Sequence, residues 1–233
     1  MEQLVEIKKG KTGYGLLIEH DGHIVGGCDT IQQIKEDIAH HDKFVIPDDF
    51  IVYAVFQKYG IKNANGRIYP EAVLKREVQK YLDNQVKEHR AIGALDHPSS
   101  STLSGHDVTH NILDLRWEGR TLVGEMKLHL SPGYKRYGVC STSGDLVANM
   151  ILDGIQVGVS SRAVGSVEQK MGALIVGDDL ELVGWDVVIE NSTPGAIVKT
   201  QMSDLQPFIE AQARENNKLI SEKIQKISDI LKN

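Results

Sequence analysis

The sequence predicts an α+β protein, with mostly antiparallel strands flanked by helices. A small N-terminal β/α segment (1–48) precedes a main domain (49–200) and a C-terminal amphipathic helical tail (201–233). Three observations carry this reading. Short apolar runs are separated by turn signals such as Asp21-Gly22 and Glu118-Gly119-Arg120, the pattern of strands joined by hairpins. Apolar stripes of helical period are confined to a few stretches. The 41% hydrophobic and 25% charged content over 233 residues is that of an ordinary globular chain, large enough for one substantial domain with appendages.

In chain order, Leu4–Ile7 and Gly15–Ile18 read as strands. A helix follows from Thr30 with Ile31, Ile34 and Ile38 on one face, ending near His40-His41. Ile51–Phe56 is apolar on both faces and so predicts a buried strand. After the turn-rich Asn63–Pro70, Val73, Leu74, Val78, Tyr81, Leu82 and Val86 form the stripe of a helix that Pro70 opens. Val108–Leu115 and Leu122–Leu130 alternate as a strand pair, and Ser131–Gly144 reads as a turn containing Pro132-Gly133. A helix over Asp145–Ile155 leads into Gly158–Gly165, which predicts a tight turn entering a strand. Strands are further expected over Ala163–Glu168, Ala173–Gly177 and Glu181–Ile189. In the tail, Leu205, Phe208, Ile209, Leu219, Ile220, Ile224, Ile227, Ile230 and Leu231 mark amphipathic helices.

Charge and composition narrow the function. A net charge of −6 without a basic block argues against binding nucleic acid. No apolar run is long enough to span a bilayer, and Met1-Glu2-Gln3 does not open a signal peptide, so no membrane association and a cytosolic setting are expected. Cys28 and Cys140 lack metal-type spacing and are not expected to pair in that compartment.

The chemistry concentrates in Gly158-Val159-Ser160-Ser161-Arg162-Ala163-Val164-Gly165, where two hydroxyls and a cation lie between glycines. A serine nucleophile needs a base, and the base needs a group that fixes its tautomer. His97, held before Pro98, supplies a base. Asp186 lies within an apolar strand, where a carboxylate demands a partner; His97 and Arg162 are both candidates. A rival reading is a metal-dependent hydrolase built on His97, His106, Asp107 and His110. However, His106 and His110 on one strand stand about 13 Å apart.

Gly66-Arg67-Ile68-Tyr69-Pro70, Gly93-Ala94-Leu95-Asp96-His97-Pro98 and Gly158-Val159-Ser160-Ser161-Arg162 occur in the order found in the tailed-phage prohead core proteases. The chain resembles that family over roughly residues 50–200, and the family is related in fold to the herpesvirus maturation protease, assemblin. The resemblance implies an assemblin-like β-barrel flanked by helices, and a serine endopeptidase of capsid maturation that needs no cofactor and no metal. It implies Ser160 as nucleophile, with Ser161 the alternative on the opposite strand face, and His97 as base. Asp186 is the acidic member, with Glu190 as fallback. Ser161 and Arg162 are expected beside the oxyanion. Ala163 stands where many relatives carry glycine. Substrates implied are scaffold or core proteins and the major capsid protein, inside the immature capsid in the host cytoplasm. The chain itself is a further implied substrate, with Leu17-Ile18-Glu19 and Ile220-Ser221-Glu222 fitting a cleavage pattern that ends at Glu19 or Glu222. The tail would serve self-association into a homo-oligomer until its removal. Residues 1–48 read as a pro-segment, a regulatory cap or part of the core. A non-catalytic assembly scaffold of the same fold is the competing class.

Overall fold

The computed structural model describes residues 3–7, 14–18, 49–98, 103–170, 172–210, 214 and 225. The chain divides into two compact units, 1–44 and 45–233. In the first, β1 (Gln3–Ile7) and β2 (Tyr14–Ile18) form an antiparallel pair in which Gln3 faces Ile18. The helix expected from Thr30 lies outside the described residues.

The second unit is built on a five-stranded antiparallel sheet. Its strands are β3 (Ile51–Lys58), β5 (Ile92–Ala94), β6 (Val108–Glu118), β7 (Thr121–Leu128) and β12 (Val198–Lys199), in the order β12-β3-β7-β6-β5. Two smaller sheets accompany it. One pairs β8 (Gly158–Val164) with β11 (Glu181–Val188). The other joins β4 (Arg67–Ile68), β10 (Ala173–Val176) and β9 (Val167–Lys170). The mixed α/β, mostly antiparallel architecture agrees with the sequence, but the expected barrel does not close. β5 and β12 are too short to extend the ladder, so β11 and β8 meet the large sheet through two isolated bridges, Leu95–Val187 and Gly158–Ile197.

β3 is buried on both faces, as its unbroken apolar run requires. Val52, Ala54 and Phe56 enter the main core with Ile112, Leu122, Met126 and Trp185. Val55 turns the other way, to Val123 and Ala196, a patch covered by Met202, Phe208 and Ile209. Phe208 belongs to a helical run over 206–210; nearly all of the remaining tail, Glu222 included, lies outside the described residues. Helix α1 (Glu71–Tyr81) starts after Pro70 and buries Val73, Leu74, Val78 and Tyr81; a π turn over Leu82–Val86 ends it. Each such aliphatic burial contributes about 1.5–3 kcal/mol. Trp185 is the centre of the core, edge-on to Phe56 at 5.5 Å and to Tyr81 at 5.0 Å.

Two local expectations are corrected. Ser131–Gly144 is not all turn: Pro132–Tyr137 forms helix α2, opened by the Ser131 side chain, which accepts from Tyr134 N, and closed by the left-handed Gly138. The stretch from Gly158 is also not a turn. Helix α3 (Ser143–Leu152) ends at Asp153 and the chain reverses at Gly154 (φ 78°), so β8 is already regular strand at Gly158. Glycine is needed at 158 for a different reason. A Cβ there would lie 2.7 Å from the Ala196 carbonyl, where the two sheets meet.

Candidate active site

Three elements converge on the site. In the antiparallel pair of β8 and β11, Ser160 stands opposite Asp186. β5 runs beside β11 and is stopped just beyond its end, where Asp96 adopts a left-handed backbone (φ 60°) and its N–H donates to Val187 O at 2.7 Å. Asp is among the few residues that visit this region readily. The kink ends the strand and turns the next residue, His97, toward β8.

His97 then bridges the pair. Its Nδ1 lies 2.8 Å from Asp186 Oδ2, and its Nε2 lies 3.0 Å from Ser160 Oγ. Asp186 is fully buried and ionised, so it can only accept; Nδ1 therefore carries the proton and Nε2 presents a lone pair to the serine hydroxyl. The His97 side chain is 43% exposed, leaving the serine end of the line open to solvent.

Asp186 has three further donors. Ala94 N–H reaches Oδ1 at 3.0 Å, and Arg162 reaches Oδ2 through Nε at 3.0 Å and Oδ1 through a terminal nitrogen at 3.3 Å. Burial works to raise its pKa. The hydrogen bonds from His97, Arg162 and Ala94, with the arginine charge, outweigh burial and hold the carboxyl below the usual range. Both partners proposed for this carboxylate thus serve it together. Arg162, expected beside the oxyanion, pairs with Asp186.

Ser161 points to the opposite face of β8, where it accepts from Gln57 Nε2 at 3.3 Å; Gln57 Oε1 in turn accepts from Thr193 Oγ1 at 2.5 Å. Glu190 is exposed beyond the end of β11. The histidines of the rival metal reading do not converge. His106 is exposed in a short 3-10 turn, and His110 is buried against Thr109. Among the described residues no group of three His, Cys, Asp or Glu could hold a metal ion. Cys140 is exposed and free; Cys28 and Glu19 lie outside the described residues. No helix among the described residues is long and apolar enough to cross a membrane. Sequence reasoning missed Gln57, Thr109 and Thr193. All three are buried, and their polar neighbours in sequence (Lys58 beside Gln57, His110 beside Thr109, Ser192 beside Thr193) leave no local signal.

The chain is 29% identical over 189 residues to the prohead core protein protease of Enterobacteria phage T4, spanning 78% of this chain and 82% of that protein. The structure of the bacteriophage T4 capsid assembly protease, gp21, superposes with a TM-score of 0.54 at 28% identity, covering 59% of this chain and 80% of the other. Residues 10–206 match the family described as prohead core protein serine proteases, so the chain belongs to that family and is a phage prohead protease.

Proposed function

We propose that the chain is a serine endopeptidase using Ser160, His97 and Asp186. The observation that carries this is the continuous line from Ser160 Oγ to His97 Nε2 (3.0 Å) and from His97 Nδ1 to Asp186 Oδ2 (2.8 Å). As Ser160 attacks a peptide carbonyl, its hydroxyl proton passes to His97 Nε2, and the imidazolium formed is stabilised by the Asp186 carboxylate. His97 returns that proton to the leaving amine. A water, deprotonated by the same nitrogen, then releases the acyl group.

The backbone supports one oxyanion donor. Val159 N–H donates to Ala196 O at 2.9 Å, away from β11. Successive N–H groups alternate sides along a strand, so Ser161 N–H, like that of Val159, points away from β11, and Arg162 N–H faces β11. Ser161 thus serves through its main chain, and Arg162 serves by neutralising Asp186.

The T4 relatives are named for the prohead core and for capsid assembly. By that likeness the substrates here are scaffold or core proteins and the major capsid protein, cut inside the immature capsid in the host cytoplasm. The chain itself is a further substrate at Glu19 or Glu222, and its tail mediates self-association before removal. Intact mass spectrometry of wild type and Ser160→Ala, each incubated with the capsid and core proteins of its own phage, tests this reading. Fragments with wild type alone are expected. Equal fragmentation by the two would overturn it.

A further inference from the structure

β6 carries a buried polar pair, Thr109 and His110, both fully inaccessible to solvent and outside the Ser160–His97–Asp186 line. Thr109 Oγ1 donates to the Gly93 carbonyl at 3.0 Å and lies 2.7 Å from His110 Nδ1. A hydroxyl has one proton. That proton is directed at Gly93 O, so the other side of Thr109 Oγ1 is left to His110 Nδ1, while the far side of the imidazole lies against the Trp185 main chain. Burial lowers the His110 pKa to about 4, which keeps the ring neutral.

The Gly93 carbonyl and the Ala94 N–H belong to one peptide unit. That unit is trans, so the two groups point in opposite directions, one toward β6 and one toward β11. Its far end donates to Asp186 Oδ1 at 3.0 Å. The hydrogen bonds therefore run from Thr109 through the Gly93–Ala94 peptide to Asp186, where they meet the bond from His97. Each donor polarises the next in a solvent-free interior. The fit is close: a Cβ on Gly93 would lie 2.3 Å from His110 Cε1 and 2.1 Å from the Trp185 carbonyl.

We propose that Thr109, backed by His110, is a positioning residue for the catalytic carboxylate, holding the Gly93–Ala94 peptide so that its N–H fixes Asp186 against His97. The inference rests on the triad reading above, and the experiment keeps the two apart. Full-length Thr109→Val, Thr109→Ser and Ser160→Ala are reacted with diisopropyl fluorophosphate, whose phosphorus the active serine attacks with loss of fluoride. Intact mass gives both the rate and the final labelled fraction. In Thr109→Val the limiting rate constant of labelling is expected to fall roughly tenfold. The half-saturating reagent concentration should stay unchanged, and Thr109→Ser should label within about twofold of wild type. If valine is not accommodated, Thr109→Ala makes the same comparison. A purely structural role would lower the labelled fraction and leave the rate constant of the remaining molecules at the wild-type value; that result overturns the inference. Labelling of Ser160→Ala at the wild-type rate would remove the triad reading and this inference with it. An inert Ser160→Ala beside a fully reactive Thr109→Val would overturn the inference alone.

Discussion

Asp186 shows how one buried residue is made affordable. A carboxylate in a dry core is costly unless its lone pairs are filled, and here His97, Arg162 and Ala94 N–H fill them. Asp186→Asn should lower turnover by about 10⁴-fold, because the amide no longer selects the tautomer that leaves His97 Nε2 free; steady-state kinetics on folded protein checks this. Arg162→Met acts on stability. The folded-state pKa of Asp186 is depressed, so its contribution is present above the unfolded value of about 3.9 and is lost as pH falls through the folded value. Without Arg162 the folded value rises. Thermal melts from about pH 3 to about pH 7 should then show the variant losing stability at higher pH than wild type. Gly93→Ala is a steric test. Its Cβ would meet backbone at 2.1 Å, which cannot step aside as a flexible side chain would, so a loss of about 3 kcal/mol in denaturant melts is expected.

At the scale of elements, the start of helix α3 is the joint that sets up the run into β8. Thr142 and Asp145 form a reciprocal capping box, and Asp145 also accepts from Ser131 N (2.8 Å), Ser131 Oγ (2.7 Å) and Ser141 N (2.9 Å), tying α2 to α3. Burial works to raise the Asp145 pKa, yet these bonds hold it below the usual range, so the joint weakens only as pH falls through that lowered value. Asp145→Ala leaves several N–H groups unsatisfied and should cost about 3 kcal/mol by urea unfolding. This is also where the sequence was least legible. Ser131–Gly144 looks like a turn because its helix is only six residues long and is held by caps, with a single buried side chain, Tyr134. Gly158 looks like a turn residue because glycine serves both turns and close approaches. Only the position of Ala196 O, 38 residues on, distinguishes the two. The apolar strands β3 and β11 and the stripe of α1 were plain, since each pattern is local.

For the whole molecule, the site depends on strands distant in sequence meeting through single bridges rather than a continuous barrel. Ser160, His97 and Asp186 were legible through ordered motifs and a carboxylate out of place in an apolar strand. Thr109 and Gln57 were not, because their meaning depends on the register between β5 and β6 and on the packing of β3 against β8. All three site residues fall within the unit 45–233. A chain beginning at Val45 is therefore expected to label with diisopropyl fluorophosphate at the wild-type rate; loss of labelling in a folded truncation would show that residues 1–44 take part. Ser160 and Ser161 are neighbouring hydroxyls on opposite faces of β8, the first against His97 and the second against Gln57. Peptide mapping of wild-type protein labelled with diisopropyl fluorophosphate decides between them. The phosphoryl group is expected on Ser160, with none on Ser161. A label on Ser161, or one that persists at full rate in Ser160→Ala, would contradict this assignment.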